Sequence, residues 1–268
     1  MIYLYAYTNH KENLDSLRRV LALYDELKND FECELLVNEF RAQLLAKEWG
    51  YPLATTIETI KDIDAVASIE DTIIIDSPEK LEGKVLEYPQ NFKEVIYLDT
   101  TNQSLEGAKN FRVFEDGYIY PILEQAKKEE KTIFIYGDSD YEKTILKNLD
   151  FFKDLKLDLY WGIYFFVKYE DTLAKVFKEI IEPEEYYEVL KSYQKIISSS
   201  IQVTIEALAN GAEVAFLPLN PKENIDVIKE LDIPILKANT SLLFKKIPIY
   251  NLNNLTIIIK NYLVENVK

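Results

Sequence analysis

The chain of 268 residues is 48% hydrophobic and 29% charged, the balance of a globular protein with room for one large domain or two of moderate size. Its 31 Lys and Arg against 46 Asp and Glu leave a net charge of −15. That excess argues against DNA, RNA or an anionic lipid surface as the main partner, because phosphate contacts need clustered cations. A single histidine, His10, excludes a metal site built on several imidazoles, so no metal centre is expected. The seven glycines are too scattered for a G-x-G-x-x-G fingerprint or a P-loop. Cys33, the one cysteine, excludes an intramolecular disulfide and fits a reducing compartment. The first residues lack a basic start and a sustained apolar core, and no stretch approaches the roughly 20 apolar residues of a spanning helix. No signal peptide, no membrane insertion and a cytoplasmic location are the expectations.

In chain order, Ile2 to Tyr7 reads as a buried strand, and Leu14, Leu17, Val20, Leu21 and Leu23 recur at helical spacing. Glu34 to Val37 is a short strand, and Arg41 to Trp49 a helix stopped by Gly50 and Pro52. Thr72 to Asp76 is apolar on both faces, as a central parallel strand requires. Ser77-Pro78 predicts a helix start, with a serine cap and a proline at the first helical position. Glu94 to Leu98 is the next strand. The second half repeats the scheme. Thr132 to Tyr136, Leu157 to Phe166, Ile196-Ile197, Glu213 to Leu217 and Ile235-Leu236 read as strands, with helices over Asp140–Leu149, Gln202–Ala209 and Asn224–Leu231. Residues 251–267 close the chain, helical at their end, and this closing helix is expected to pack back on the first domain. Strands alternating with helices imply parallel sheets covered on both faces, an α/β fold. The charged stretch Glu124 to Lys131 marks a boundary, which predicts domains of 1–125 and 126–268.

Ligands of such sheets sit beyond the carboxyl ends of strands. The loop Thr8 to Asp15 carries His10, suited to acid–base work near neutrality, although an isolated loop histidine also reads as solvated or as a helix cap. Ser198, Ser199 and Ser200, at a strand end leading into a helix, offer hydroxyls and N–H groups to an anion, or simply cap that helix. Glu206 lies further along the same helix. The aromatic runs Tyr160–Phe166 and Tyr186-Tyr187 suit core packing better than stacking on a base or sugar. Asp62, Asp64, Glu70 and Asp71 read as a solvated acidic face, and Cys33 as buried rather than nucleophilic.

The pattern Ser200-x5-Glu206-Ala207-x3-Gly211, followed by Val214-Ala-Phe-Leu and Pro218, resembles the donor-nucleotide segment of GT-B type glycosyltransferases and sugar-nucleotide epimerases. Ile73 to Asp76, Val95 to Asp99, Gly117 to Tyr120, Ile135 to Asp140 and Ile180 to Pro183 occur in the same order as in the UDP-sugar hydrolases of the pseudaminic acid pathway, which supplies a nonulosonic acid to bacterial flagellins and surface glycans. The resemblance implies two Rossmann-like domains facing across a cleft, a UDP-sugar or UDP as ligand, and no cofactor. It implies that Glu206 meets the ribose, and that Arg18, Gly137, Ser139 and the Ser198–Ser200 turn meet phosphate. His10 or Asp15 would activate water.

The departures are specific. Asp15 stands where the family has its histidine, Asp138 replaces a glycine of the phosphate loop, and Glu124 stands for an arginine. Like charges about 4 Å apart repel by roughly 1 kcal/mol in water and about 4 at an effective dielectric of 20. The resemblance is therefore compatible with an enzyme acting on a UDP-linked amino sugar. It is equally compatible with a non-catalytic relative serving as a binding or assembly module with a protein partner in a glycan pathway, or with a glycosyltransferase using another acceptor.

Overall fold

The computed structural model describes residues 1–10, 13–124, 126–165, 169–221, 223–237, 242–248 and 251–267. The chain divides into two compact units: Met1–Asn9 with Leu14–Pro121 and Leu252–Lys268, and His10–Asn13 with Ile122–Asn251.

The first unit carries, in chain order, β1 (Ile2–Ala6), α1 (Asp15–Leu27), β2 (Cys33–Val37), α2 (Phe40–Glu48), β3 (Thr55–Thr56), β4 (Thr72–Asp76), α3 (Tyr88–Asn91), β5 (Glu94–Asp99) and β6 (Lys109–Arg112). The strands form a sheet of order β3-β2-β1-β4-β5-β6, every pairing parallel. This is the doubly wound order, with its switch point between β1 and β4. Both of those strands are buried along their whole length, which explains why Ile2 to Ala6 and Thr72 to Asp76 lack a polar face. Asp15 in the first turn of α1 favours the helix dipole, and Leu17, Val20 and Leu21 bury its apolar stripe.

Ser77-Pro78 starts no helix. The Ser77 hydroxyl accepts the N–H of Glu79 at 3.1 Å and donates to its carboxylate at 2.9 Å, while that carboxylate also accepts the Tyr5 hydroxyl at 2.8 Å. These contacts fold the serine into a local turn, and helical turns begin only at Gly83–Glu87. The closing helix Leu255–Asn266 groups with the first unit, on which it is expected to pack back, rather than with a domain of 126–268. It buries Leu255, Ile259 and Leu263, while Lys260 pairs with Glu26 and Asp30, each at 3.0 Å, and the Tyr262 hydroxyl donates to Glu94 at 2.9 Å.

The second unit carries β7 (Glu129–Ile135), α4 (Thr144–Lys147), α5 (Leu149–Phe152), β8 (Asp158–Tyr160), α6 (Glu170–Leu173), β9 (Ile180–Ile181), α7 (Tyr186–Ser192), β10 (Tyr193–Ser198), α8 (Ile201–Ala209), β11 (Glu213–Phe216) and α9 (Asp226–Glu230). Its sheet, β11-β10-β7-β8-β9, is again parallel throughout, with the switch point between β7 and β10. Phe134, Phe152, Phe177, Leu159 and Trp161 share one apolar core. The helix predicted over Asp140–Leu149 is instead two single turns, α4 and α5, separated at Asn148. Ile235 contributes one bridge to Phe216 rather than a strand, and Phe166 lies outside the described residues. Both units are Rossmann-like and α/β. Among the described residues no helix is long and apolar enough to cross a membrane.

Candidate functional site

The place to look in the second unit is its switch point, where the chain leaves β7 through Gly137–Asp140 and β10 through Ser198–Ser200. The serine turn is built from its own hydroxyls. Ser198 Oγ accepts the Ser200 N–H at 3.0 Å, Ser199 Oγ donates to the Leu217 carbonyl at 2.6 Å, and Ser200 Oγ accepts the Val203 N–H at 3.2 Å. All three serines are buried. Ser200 is therefore a helix cap, and the groups the turn leaves for an anion are the first N–H groups of α8. The N–H of Ile201 donates to Glu223 Oε2 at 3.1 Å.

Glu206 lies on α8 about 7.5 Å along the axis from Ile201 at 1.5 Å per residue. It is fully buried. Its Oε2 accepts the Tyr186 hydroxyl at 2.5 Å and its Oε1 accepts the Gln202 side-chain N–H at 2.7 Å. Tyr186 packs edge-on against Tyr160 and Tyr187, so the aromatic run read as core does pack as core and also orients a hydroxyl onto this carboxylate. At the end of α8, Gly211 takes a positive φ of 79° and its N–H reaches the Leu208 carbonyl, the usual glycine stop.

Across the switch point the Gly137 loop is crowded. Asn13, which groups with this unit, places Oδ1 at 3.2 Å from the N–H of Asp138, and a Cβ on Gly137 would lie 2.8 Å from that oxygen. Ser139 Oγ donates to the His10 carbonyl at 2.6 Å, and the His10 ring sits 5.9 Å from that of Tyr141. Asp140 accepts the N–H groups of Thr144 at 2.5 Å and Ile145 at 2.9 Å. Burial holds its carboxyl above the usual range, partly offset by those two hydrogen bonds. Asp140 thus caps α4 instead of beginning a helix. Gly162 lies against this loop, where an added Cβ would fall 2.4 Å from the Asp138 carbonyl carbon. Gly162→Ala is expected to shift the 137–140 loop and cost about 1–3 kcal/mol, read from chemical denaturation; an unchanged midpoint would show that the loop yields freely.

The first unit holds the remaining expected residues. Arg18 is fully buried, and its Nη2 pairs with Asp15 Oδ1 at 2.5 Å. The structure therefore brings the expected base, Asp15, onto the expected phosphate ligand, Arg18, and each neutralises the other. Arg18 as placed presents no exposed cation. His10 is exposed and groups with the second unit, whereas Asp15 groups with the first. Beside Arg18, Arg19 makes a bidentate pair with Asp76 at 2.7 and 2.9 Å, both residues buried, and its Nη2 reaches Ser16 Oγ at 3.3 Å.

Sequence reasoning missed Asn13, Tyr186 and Glu223 as partners within the second unit, and the Arg19–Asp76 pair within the first. The one usable signal was an aspartate ending an otherwise apolar strand, since such a residue at a parallel strand's carboxyl end needs a cation or N–H groups. Of the acidic stretch, Asp62 caps the turn at Ile60–Ala65 and Asp64 pairs with Lys84 at 2.6 Å. Among the described residues no group of three or more His, Cys, Asp or Glu is placed to hold a metal ion. Burial pushes the Cys33 thiol up to about 11, against a nucleophilic role.

No protein-family model matches the sequence, and no curated protein matches it either. Solved structures do. A Listeria monocytogenes protein assigned as a UDP-N-acetylglucosamine 2-epimerase aligns over 99% of this chain and 88% of its own, with a TM-score of 0.51 at 10% identity. MurG of Acinetobacter baumannii aligns over 99% and 92% at 13% identity with a TM-score of 0.46. The UDP-GlcNAc 2-epimerase of Neisseria meningitidis, solved with UDP-GlcNAc bound, aligns over 99% and 93% at 11% identity with a TM-score of 0.44. At these identities the likeness is one of fold, and the first alignment alone of the three exceeds 0.5. The chain has the α/β fold of two Rossmann-like units found in GT-B proteins.

Proposed function

We propose that the second unit binds a nucleoside diphosphate sugar, a UDP-linked amino sugar in keeping with the resemblance to the pseudaminic-pathway hydrolases. One observation carries this reading: α8, capped by Ser200, opens at the switch point of a parallel sheet and carries a carboxylate, Glu206, one and a half turns further on. The helix start is the chemistry that receives a diphosphate, and a carboxylate at that spacing is the chemistry that accepts ribose hydroxyls. For Glu206 to serve a ribose, a sugar hydroxyl must join the Tyr186 hydroxyl on the carboxylate or take its place.

A second reading, a binding or assembly module without turnover, is favoured by the Asp15–Arg18 pair, which occupies the candidate base with the candidate phosphate ligand. A glycosyltransferase with another acceptor is the third. Thermal unfolding with millimolar UDP and UDP-N-acetylglucosamine tests binding. A ligand at a hundredfold excess over its dissociation constant stabilises the folded state by about 2.7 kcal/mol. No shift with either would overturn the nucleotide reading. Where binding is found, release of UDP in water tests hydrolysis: a rate lowered by roughly two to four powers of ten in His10→Ala or Asp15→Ala supports a hydrolase, and no release leaves the module and the transferase, which needs its acceptor before it releases UDP.

A further inference from the structure

We propose that Glu223 is a built-in anionic gate on the nucleotide site of the second unit. This rests on the reading above and adds its regulation. The first N–H groups of a helix need acceptors from outside it. At α8, Ser200 Oγ takes that of Val203, and Glu223 Oε2 takes that of Ile201 at 3.1 Å. Glu223 reaches this point from the connection after β11, outside any helix or strand, where its own N–H donates to the Asn220 carbonyl at 3.4 Å. Its Oε1 also accepts the Asn220 side-chain N–H at 3.4 Å, so withdrawal changes the rotamer and gives up that contact as well, without unfolding an element.

A second observation, on a different strand, points the same way. The N–H of Asp138, after β7, holds Asn13 Oδ1 at 3.2 Å, an oxygen brought from 125 residues earlier in the chain. Donors on both sides of the switch point thus hold acceptor oxygens delivered from distant parts of the sequence. The oxygen on α8 belongs to a carboxylate, the charge type the helix dipole favours and a phosphate would bring. A phosphate oxygen and Glu223 cannot share the Ile201 N–H, so ligand entry requires the carboxylate to leave.

The apparent dissociation constant of such a site is the intrinsic one divided by the open fraction. A gate open about one-tenth of the time weakens binding roughly tenfold. The test titrates the full chain with UDP, and separately with inorganic pyrophosphate, in wild type, Glu223→Gln and Glu223→Ala. Glu223→Gln keeps an acceptor on the helix and removes the charge, so it keeps the test decisive if Glu223→Ala fails to fold. The expected result is about tenfold tighter binding of both probes by the variants. Equal affinities in forms that do bind overturn the gate alone, whereas no binding by any form overturns the nucleotide reading and the gate with it. Amide exchange at Ile201, measured without ligand, is expected to speed up in Glu223→Ala; unchanged exchange overturns the contact itself.

Discussion

Replacing Asp76 with alanine is expected to destabilise the first unit by about 3–5 kcal/mol, the cost of leaving a buried cation without its partner. Arg19 is 4% exposed and Asp76 fully buried, and their two hydrogen bonds, 2.7 and 2.9 Å, are the parallel fork a guanidinium makes with a carboxylate. Without Asp76, the Ser16 hydroxyl at 3.3 Å is a neutral acceptor that does not replace the lost charge. The midpoint of thermal unfolding should fall by on the order of 10 °C. The sharper test is a double-mutant cycle with Arg19→Met and Asp76→Leu. If the pair matters through charge, the double variant is more stable than either single one, because an apolar pair in the same volume leaves no buried ion. Additive losses would instead show that each side chain acts through packing alone. The pair stands at the switch point of the first unit, so it fixes the end of β4 against α1.

The second large effect concerns Glu206. Glu206→Ala is expected to lower stability without any ligand, by about 2–5 kcal/mol, because it leaves the Tyr186 hydroxyl and the Gln202 amide without their buried acceptor. A carboxylate that served a ribose alone would show no such loss. Tyr186→Phe separates the two roles. It removes one donor and keeps the ring that packs on Tyr160 and Tyr187, so its cost should stay near 1 kcal/mol. It also removes one donor from Glu206 Oε2, so under the nucleotide reading UDP binding should tighten while the protein weakens. Denaturant midpoints of the unliganded variants decide the first point and titration with UDP the second. If Glu206→Ala retains wild-type stability, the buried network contributes nothing to folding.

What the sequence determined by itself is the repeating part of this protein. Strands such as Ile2 to Ala6 and Thr72 to Asp76 announce themselves because a central parallel strand must be apolar on both faces, and that pattern is local. The Ser200 cap and the Gly211 stop of α8 are equally local, being backbone requirements met by the nearest side chain. The α/β class and the two units follow from those elements in order. The Ser77 turn shows where local signals mislead: a cap-like Ser-Pro is overridden by a carboxylate that Tyr5 engages from another strand. The closing helix is expected to pack back on the first domain, but its partners there, Glu26, Asp30 and Glu94, are far away in sequence and only the fold supplies them.

The surroundings of the candidate residues in each unit were decided by tertiary structure. His10, Asp15, Arg18, Ser198–Ser200 and Glu206 could be named from residue type and position, but their partners could not. Arg18 meets Asp15, Glu206 meets Tyr186, and Ile201 meets Glu223, so groups read as open to a ligand are satisfied within the chain. The reason is physical: a buried polar group must find a partner, and the fold, rather than the neighbouring sequence, determines which side chain arrives.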